Sequence, residues 1–188
     1  MASLESSLKA AVEAVYREPV DLTPSVVRNV VAHFGGGSGK KEIAAGNKAL
    51  AEQLGVSVRT VQRWQKEPGT GEARSVARST QAPHVQQVAA QQRMRDQGID
   101  VEPCQVYVHM YNDRRSRPRY LRDTEHQNGP LHISGETMGR VVDALNAGED
   151  TRAAAEFAIP WLEAYRIPQA EAADAEITDV VGQLSLSL

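Results

Sequence analysis

The sequence predicts an α+β fold: an N-terminal all-α helix-turn-helix domain followed by a small α+β domain with a short antiparallel sheet. Three observations carry this expectation. Apolar residues recur at helical spacing from Leu4 to about residue 97. The period then becomes strict alternation in VYVHMY, residues 106–111. Helical spacing returns after LHIS, residues 131–134. The expected division is residues 1–70 for the helix-turn-helix domain, 71–98 for a linker and connecting helix, and 99–188 for an α+β domain with an arginine-rich loop.

Leu4, Leu8, Ala11, Val12 and Val15 fall on one face of a first helix, which Ser3 is placed to cap and Pro19 ends. Thr23-Pro24 repeats that start signal, a cap and then proline in the first turn. Val27, Val30, Val31 and Phe34 line the next apolar face, and Gly35 is placed to stop it. FGGGSGKK, residues 34–41, has the glycines and the Gly-Lys pair of a phosphate-binding loop. The spacing fails, because Phe34 stands where the first glycine is needed and Lys41 where a hydroxyl must hold Mg²⁺. A glycine-rich turn between helices, with two exposed lysines, is the expectation.

NKALAEQLGVSVRTVQRWQKE, residues 47–67, reads as a helix-turn-helix. Leu50, Ala51 and Leu54 form the inner face of one helix, and Gly55 supplies the positive φ of the turn. Val56 is the buried turn residue, Ser57 caps the second helix, and Val61 with Trp64 turns that helix back onto the first. Ser57, Arg59, Thr60, Gln62, Arg63 and Lys66 are left on the outer face, residue types that bond to base edges and phosphates in a major groove. A helical hairpin that only packs, or one that meets another protein, shares the apolar pattern and differs in what its outer face touches.

Pro68, Gly69 and Gly71 mark a linker, in which Arg74 and Arg78 are free to meet phosphate. Helix resumes near Ala82, with Val85, Val88 or Ala89, Gln92 and Met94 inward and Gly98 closing it. Its polarity predicts a helix that lies on the surface or contacts a partner. In the strand that follows, Val106, Val108 and Met110 share one side and Tyr107, His109 and Tyr111 the other. LHIS makes a second strand. Ser134 caps a helix bearing Met138, Val141, Val142 and Leu145, and Asp150 caps another with Phe157, Ile159, Trp161, Leu162 and Tyr165, in which Pro160 predicts a kink. EITDVV, residues 176–181, closes the sheet.

A formal charge of −3 conceals an asymmetry. Residues 1–70 carry nine Lys/Arg against seven Asp/Glu and residues 71–128 carry nine against seven, whereas residues 129–188 carry three against ten. An acidic total therefore leaves room for a nucleic-acid partner, since binding follows local fields. The single Cys104 excludes an internal disulfide framework and suits a reducing, cytoplasmic location. The opening MASLESSLKAAVEAV lacks a basic region followed by an apolar run, so no secretion signal is expected. No apolar stretch reaches the roughly 18 residues of a membrane span, so no membrane partner is expected.

Chemistry concentrates in RRSRPRYLRDTE, residues 114–125. Arg114, Arg115, Arg117, Arg119 and Arg122 stand beside Tyr111 and Tyr120, and five guanidinium groups this close repel one another unless anions lie between them. Arginine with tyrosine suits a nucleic-acid backbone, phosphate being held bidentately and bases stacked on rings. A solvated charged loop is the plainer reading. His33, His84, His109, His126 and His132 share no zinc spacing with Cys104, so neither a metal nor any other cofactor is expected. No nucleophilic triad follows from spacing alone.

The order KALAEQLGVSVRTVQRW, a helical connector, then GRVVDALNAGEDTRAAAEF and the closing EITDVVGQL resembles the telomere terminal proteins of linear actinomycete replicons, the Tpg type. The resemblance covers most of the chain in size and order. It implies a protein that binds the ends of linear DNA and joins covalently to a 5′ terminal nucleotide through a side-chain hydroxyl, so priming replication. The chain is then a substrate of a DNA polymerase, with that polymerase, double-stranded DNA, single-stranded DNA ends and an accessory telomere protein as partners in a nucleoid-associated location. The acceptor position of the family matches Thr124, and Tyr120 and Ser116 are neighbouring hydroxyls that could serve instead. The alternative is a transcriptional regulator or plasmid partition or replication factor, whose α+β domain forms a homodimer or meets a partner.

Overall fold

The computed structural model describes residues 2–67, 75–110, 119–123, 131–164 and 175–188. Its helices are α1 (Leu4–Arg17), α2 (Pro24–Gly35), α3 (Lys40–Leu54), α4 (Val58–Trp64), α5 (Ala82–Gln97), α6 (Gly135–Asn146) and α7 (Asp150–Ala164), with a single 3-10 turn at Val76–Arg78. The strands are β1 (Ala2–Ser3), β2 (Ile99–Val101), β3 (Gln105–Met110), β4 (Arg119–Asp123), β5 (Leu131–Ile133), β6 (Ala175–Val181) and β7 (Leu186–Ser187). Helices and small antiparallel sheets together make an α+β protein. Local chemistry sets several helix starts. The hydroxyls of Thr23, Ser57 and Ser134 accept from the amides of Val26, Thr60 and Thr137, which satisfies donors that a first helical turn leaves open.

Two compact units divide the chain as residues 16–92 and residues 1–15 with 93–188. This cuts the chain differently from the three consecutive ranges that the sequence suggests. The first residues belong with the last because β1 pairs with β6. Helix α5 begins in the 16–92 unit because Val85, Val88 and Ala89 are buried in its core. The polar helix, expected to lie on the surface or to contact a partner, thus buries an apolar edge in this unit's own core.

In the 16–92 unit, Val27, Val30 and Val31 of α2 meet Leu50, Ala51 and Leu54 of α3, and Val61 and Trp64 of α4 complete the core. The crossing of α2 and α3 is close. A Cβ at Gly46 would collide with the carbonyl oxygen of Val31, and one at Gly35 with that of Glu42. Gly35 therefore stays helical, and Gly36, not Gly35, takes the left-handed conformation that ends α2, at φ 74°.

The other unit holds two sheets where the sequence suggested one. Their strand orders are β1-β6-β3-β4 and β5-β2-β7. The arginine-rich segment is not wholly a loop: Arg119–Asp123 pairs antiparallel with β3, Arg122 opposite Val106 and Tyr120 opposite Val108. Val106 and Val108 are buried, as are Ile177 and Val180 of β6. Helix α7 packs on α6, β6 and β5, and its Ala153, Phe157 and Trp161 are buried. Ile159 of α7 is exposed, and on α6 Ala144 is buried while Leu145 is half-buried. Lys9 donates to Asp150 at 2.8 Å, and that bond raises the ammonium pKa above its usual value.

Gly46→Ala sets a helix-propensity gain of about 1 kcal/mol against overpacking on backbone atoms, which cannot swing aside. The expected net loss is about 1–2 kcal/mol, read as a lower urea midpoint with unchanged slope.

Candidate nucleic-acid interface

Gly55 ends α3 in the left-handed conformation at φ 63°, and the chain needs only Val56 and Ser57 before α4 begins. Val56 is half-buried against the core, where the sequence implied full burial. Val61 and Trp64 turn one side of α4 inward, so the opposite side is committed to solvent.

The six residues expected on that outer side divide into three groups. Arg59, Gln62 and Lys66 are exposed. Ser57 is exposed, but its hydroxyl serves the cap, accepting from the Thr60 amide at 3.2 Å and lying 2.9 Å from the half-buried Thr60 hydroxyl. Arg63 is half-buried, and its Nε is enclosed with no hydrogen-bond partner among the described residues. Arg119, Tyr120 and Arg122 stand on β4, in the other unit. Arg114, Arg115, Arg117, Ser116 and Thr124 lie outside the described residues.

Three residues that sequence reasoning passed over fix the pitch of α4. Asn47, buried on α3, accepts from Gln65 Nε2 at 2.6 Å, and the same nitrogen reaches the carbonyl of Val61 at 3.1 Å. Arg28 of α2 donates to the carbonyl of Gln65 at 2.9 Å and to the Glu67 carboxylate at 2.9 Å. The exposed ion pair contributes little. The bond from a cation to a carbonyl at the end of α4 is more useful, because it satisfies an acceptor that the helix leaves open and complements the helix dipole. The partners are 18 to 39 positions apart, so no local pattern announces them.

Charge favours the same unit. Residues 16–92 carry ten Lys/Arg against six Asp/Glu, a formal +4, and the remaining residues carry eleven against eighteen, a formal −7. Lys40 and Lys41 open α3 as exposed cations after the Gly36–Gly39 turn, which joins two helices and not a strand to a helix.

A concave feature of about 450 Å³ lies in the second unit between α1, α7 and β6. Its lining is mostly alanine, leucine and isoleucine, with Glu5 the one ionisable group among the described residues, so it offers no acid–base pair. Among the described residues no three His, Cys, Asp or Glu side chains are placed to share a metal ion, and no helix is long and apolar enough to cross a membrane. The chain matches no protein-family model, no curated protein and no solved structure.

Asn47→Ala removes one acceptor from Gln65 Nε2 and leaves the Val61 carbonyl. Chemical denaturation should show a loss of about 1 kcal/mol, with helix content unchanged by circular dichroism.

Proposed function

We propose that the chain binds duplex DNA, with α3 and α4 as a helix-turn-helix that lays the outer face of α4 in a major groove. One observation carries this reading: Val61 and Trp64 are buried while Arg59 and Gln62 of the same helix are exposed, so the side chains suited to base edges are the ones the fold leaves available. An α-helix with its side chains is about 10–12 Å across, which fits a groove about 12 Å wide. The positive charge of residues 16–92 supplies the sequence-independent attraction.

The resemblance to telomere terminal proteins extends this proposal from binding to priming. The oxygen of a side-chain hydroxyl attacks the α-phosphorus of a deoxynucleoside triphosphate. The bond to the bridging oxygen of the β-phosphate breaks, pyrophosphate leaves, and the hydroxyl proton passes to solvent or to a base of the polymerase. The polymerase supplies the metal ions and the in-line geometry. Thr124 is the first candidate acceptor, with Tyr120 and Ser116 beside it. Arg114, Arg115, Arg117, Arg119 and Arg122 would hold the template backbone nearby.

Fluorescence anisotropy on labelled duplexes tests the binding. Lys66→Ala should lower the slope of log affinity against log salt by about 1. Gln62→Ala should cost about 1–3 kcal/mol on a selected site and leave non-specific binding alone. Wild-type protein that binds no duplex ends the reading. Priming is tested by incubation with the cognate polymerase and labelled nucleotide: Thr124→Ala should lose the label, and undiminished labelling removes Thr124 from the proposal.

A further inference from the structure

Among the described residues two large apolar side chains are exposed, Ile159 at 46% and Val58 at 38%. Ile159 lies in the unit without the hairpin. Val58 begins α4, one residue before Arg59 and four before Gln62. At 100° per residue Gln62 lies about 40° and Arg59 about 100° from Val58, while the buried Val61 lies about 60° to the other side, so Val58 stands at the edge of the exposed face.

A β-branched residue is a poor helix former, and at an exposed position in a first turn a polar residue would serve both helix and solvent better. Val58 is neither a buried member of the core cluster nor one of the half-buried side chains packed on it. On its outward side the neighbours are polar and cationic, Arg59 and Gln62, in a unit of formal charge +4. A lone exposed apolar group bordered by such side chains is poorly placed for an apolar protein surface. It is well placed for a major groove, where one base pair alone offers an apolar feature, the 5-methyl group of thymine.

We infer that Val58 reads a thymine methyl group, making it a specificity-determining residue of the interface. The inference rests on the proposed duplex binding by α4. It narrows the DNA partner chemically: the site carries a thymine within reach of α4, flanked by the bases that Arg59 and Gln62 select. Arg59 matches the O6 and N7 of guanine, and Gln62 the N6 and N7 of adenine.

The full-length chain is used to enrich duplexes from a randomised pool, and each thymine of the enriched site is then replaced by uracil, which removes the methyl group and keeps every hydrogen-bonding atom. Wild type should lose about fourfold in affinity at one thymine, the worth of one buried methyl. Val58→Ala should bind the thymine duplex several-fold more weakly and show no further loss with uracil. Val58→Thr, nearly the same shape, checks that any loss is not misfolding, and circular dichroism should be unchanged for both variants. Failure to enrich any duplex sinks the duplex-binding reading and this inference with it. An enriched site at which every uracil substitution is silent leaves duplex binding standing and overturns the role of Val58. So does a uracil penalty that persists undiminished in Val58→Ala. Self-association of wild type that Val58→Ala abolishes, with uracil silent, assigns the side chain to a contact between copies and overturns the inference as well.

Discussion

The backbones of α2 and α3 touch, and the geometry of the hairpin depends on that contact. Only a residue without a Cβ fits at Gly46 against the Val31 carbonyl, and only such a residue fits at Gly35 against that of Glu42. At these two points no side chain fits between the helices, which leaves them little freedom to slide. Helix α3 then presents Leu50, Ala51 and Leu54 to α4 from a fixed position. Helix α2 also reaches α4 directly, because Arg28 binds the carbonyl of Gln65 and the Glu67 carboxylate beyond the end of that helix. A seven-residue helix has little stability of its own. Here both of its neighbours hold it: apolar contact and Asn47 from α3, and a guanidinium from α2. A short helix so held can present Val58, Arg59 and Gln62 at one orientation, the condition for reading bases as opposed to merely adhering to phosphate.

Local signals were legible in the sequence, and contacts between distant positions were not. Thr23, Ser57 and Ser134 cap helices as their spacing implies, and Gly55 turns the chain, because each of these acts within four residues. The face of α4 was readable from Val61 and Trp64 for the same reason. Helix α3 begins at Lys40 without warning, since Gly39 offers no side-chain cap. Strand β4 was read as loop because RYLRD is short and charged, and its pairing with β3 overrides that composition. The two-residue strands β1 and β7 have no signature of their own and exist through β6 and β2. Glycine at Gly35 read as a stop signal, yet its use is steric and depends on a partner seven residues ahead on another helix.

Charge separates the two units more sharply than it separates thirds of the chain. Once β1 and α1 up to Val15 join the C-terminal part, the formal charges are +4 and −7. A polyanion is attracted to the first unit and repelled by the second, apart from whatever field its arginines set up locally. Binding through residues 16–92 therefore agrees with an acidic whole. The net −7 of the second unit also discourages self-association through that unit except along a face where the charge is locally balanced.

Strand pairing bears on the proposed priming reaction. An acceptor hydroxyl must leave its own fold, enter a polymerase cleft and come in line with the α-phosphorus of a nucleotide. Tyr120 belongs to β4, whose backbone is paired with β3 from Arg119 opposite His109 to Asp123 opposite Gln105. Delivering Tyr120 would require part of that ladder to open, with each broken backbone hydrogen bond opposing the reaction. Thr124 follows the last paired residue of β4, and Ser116 precedes the first by three positions. The cost of opening the ladder weighs against Tyr120 as the proposed acceptor.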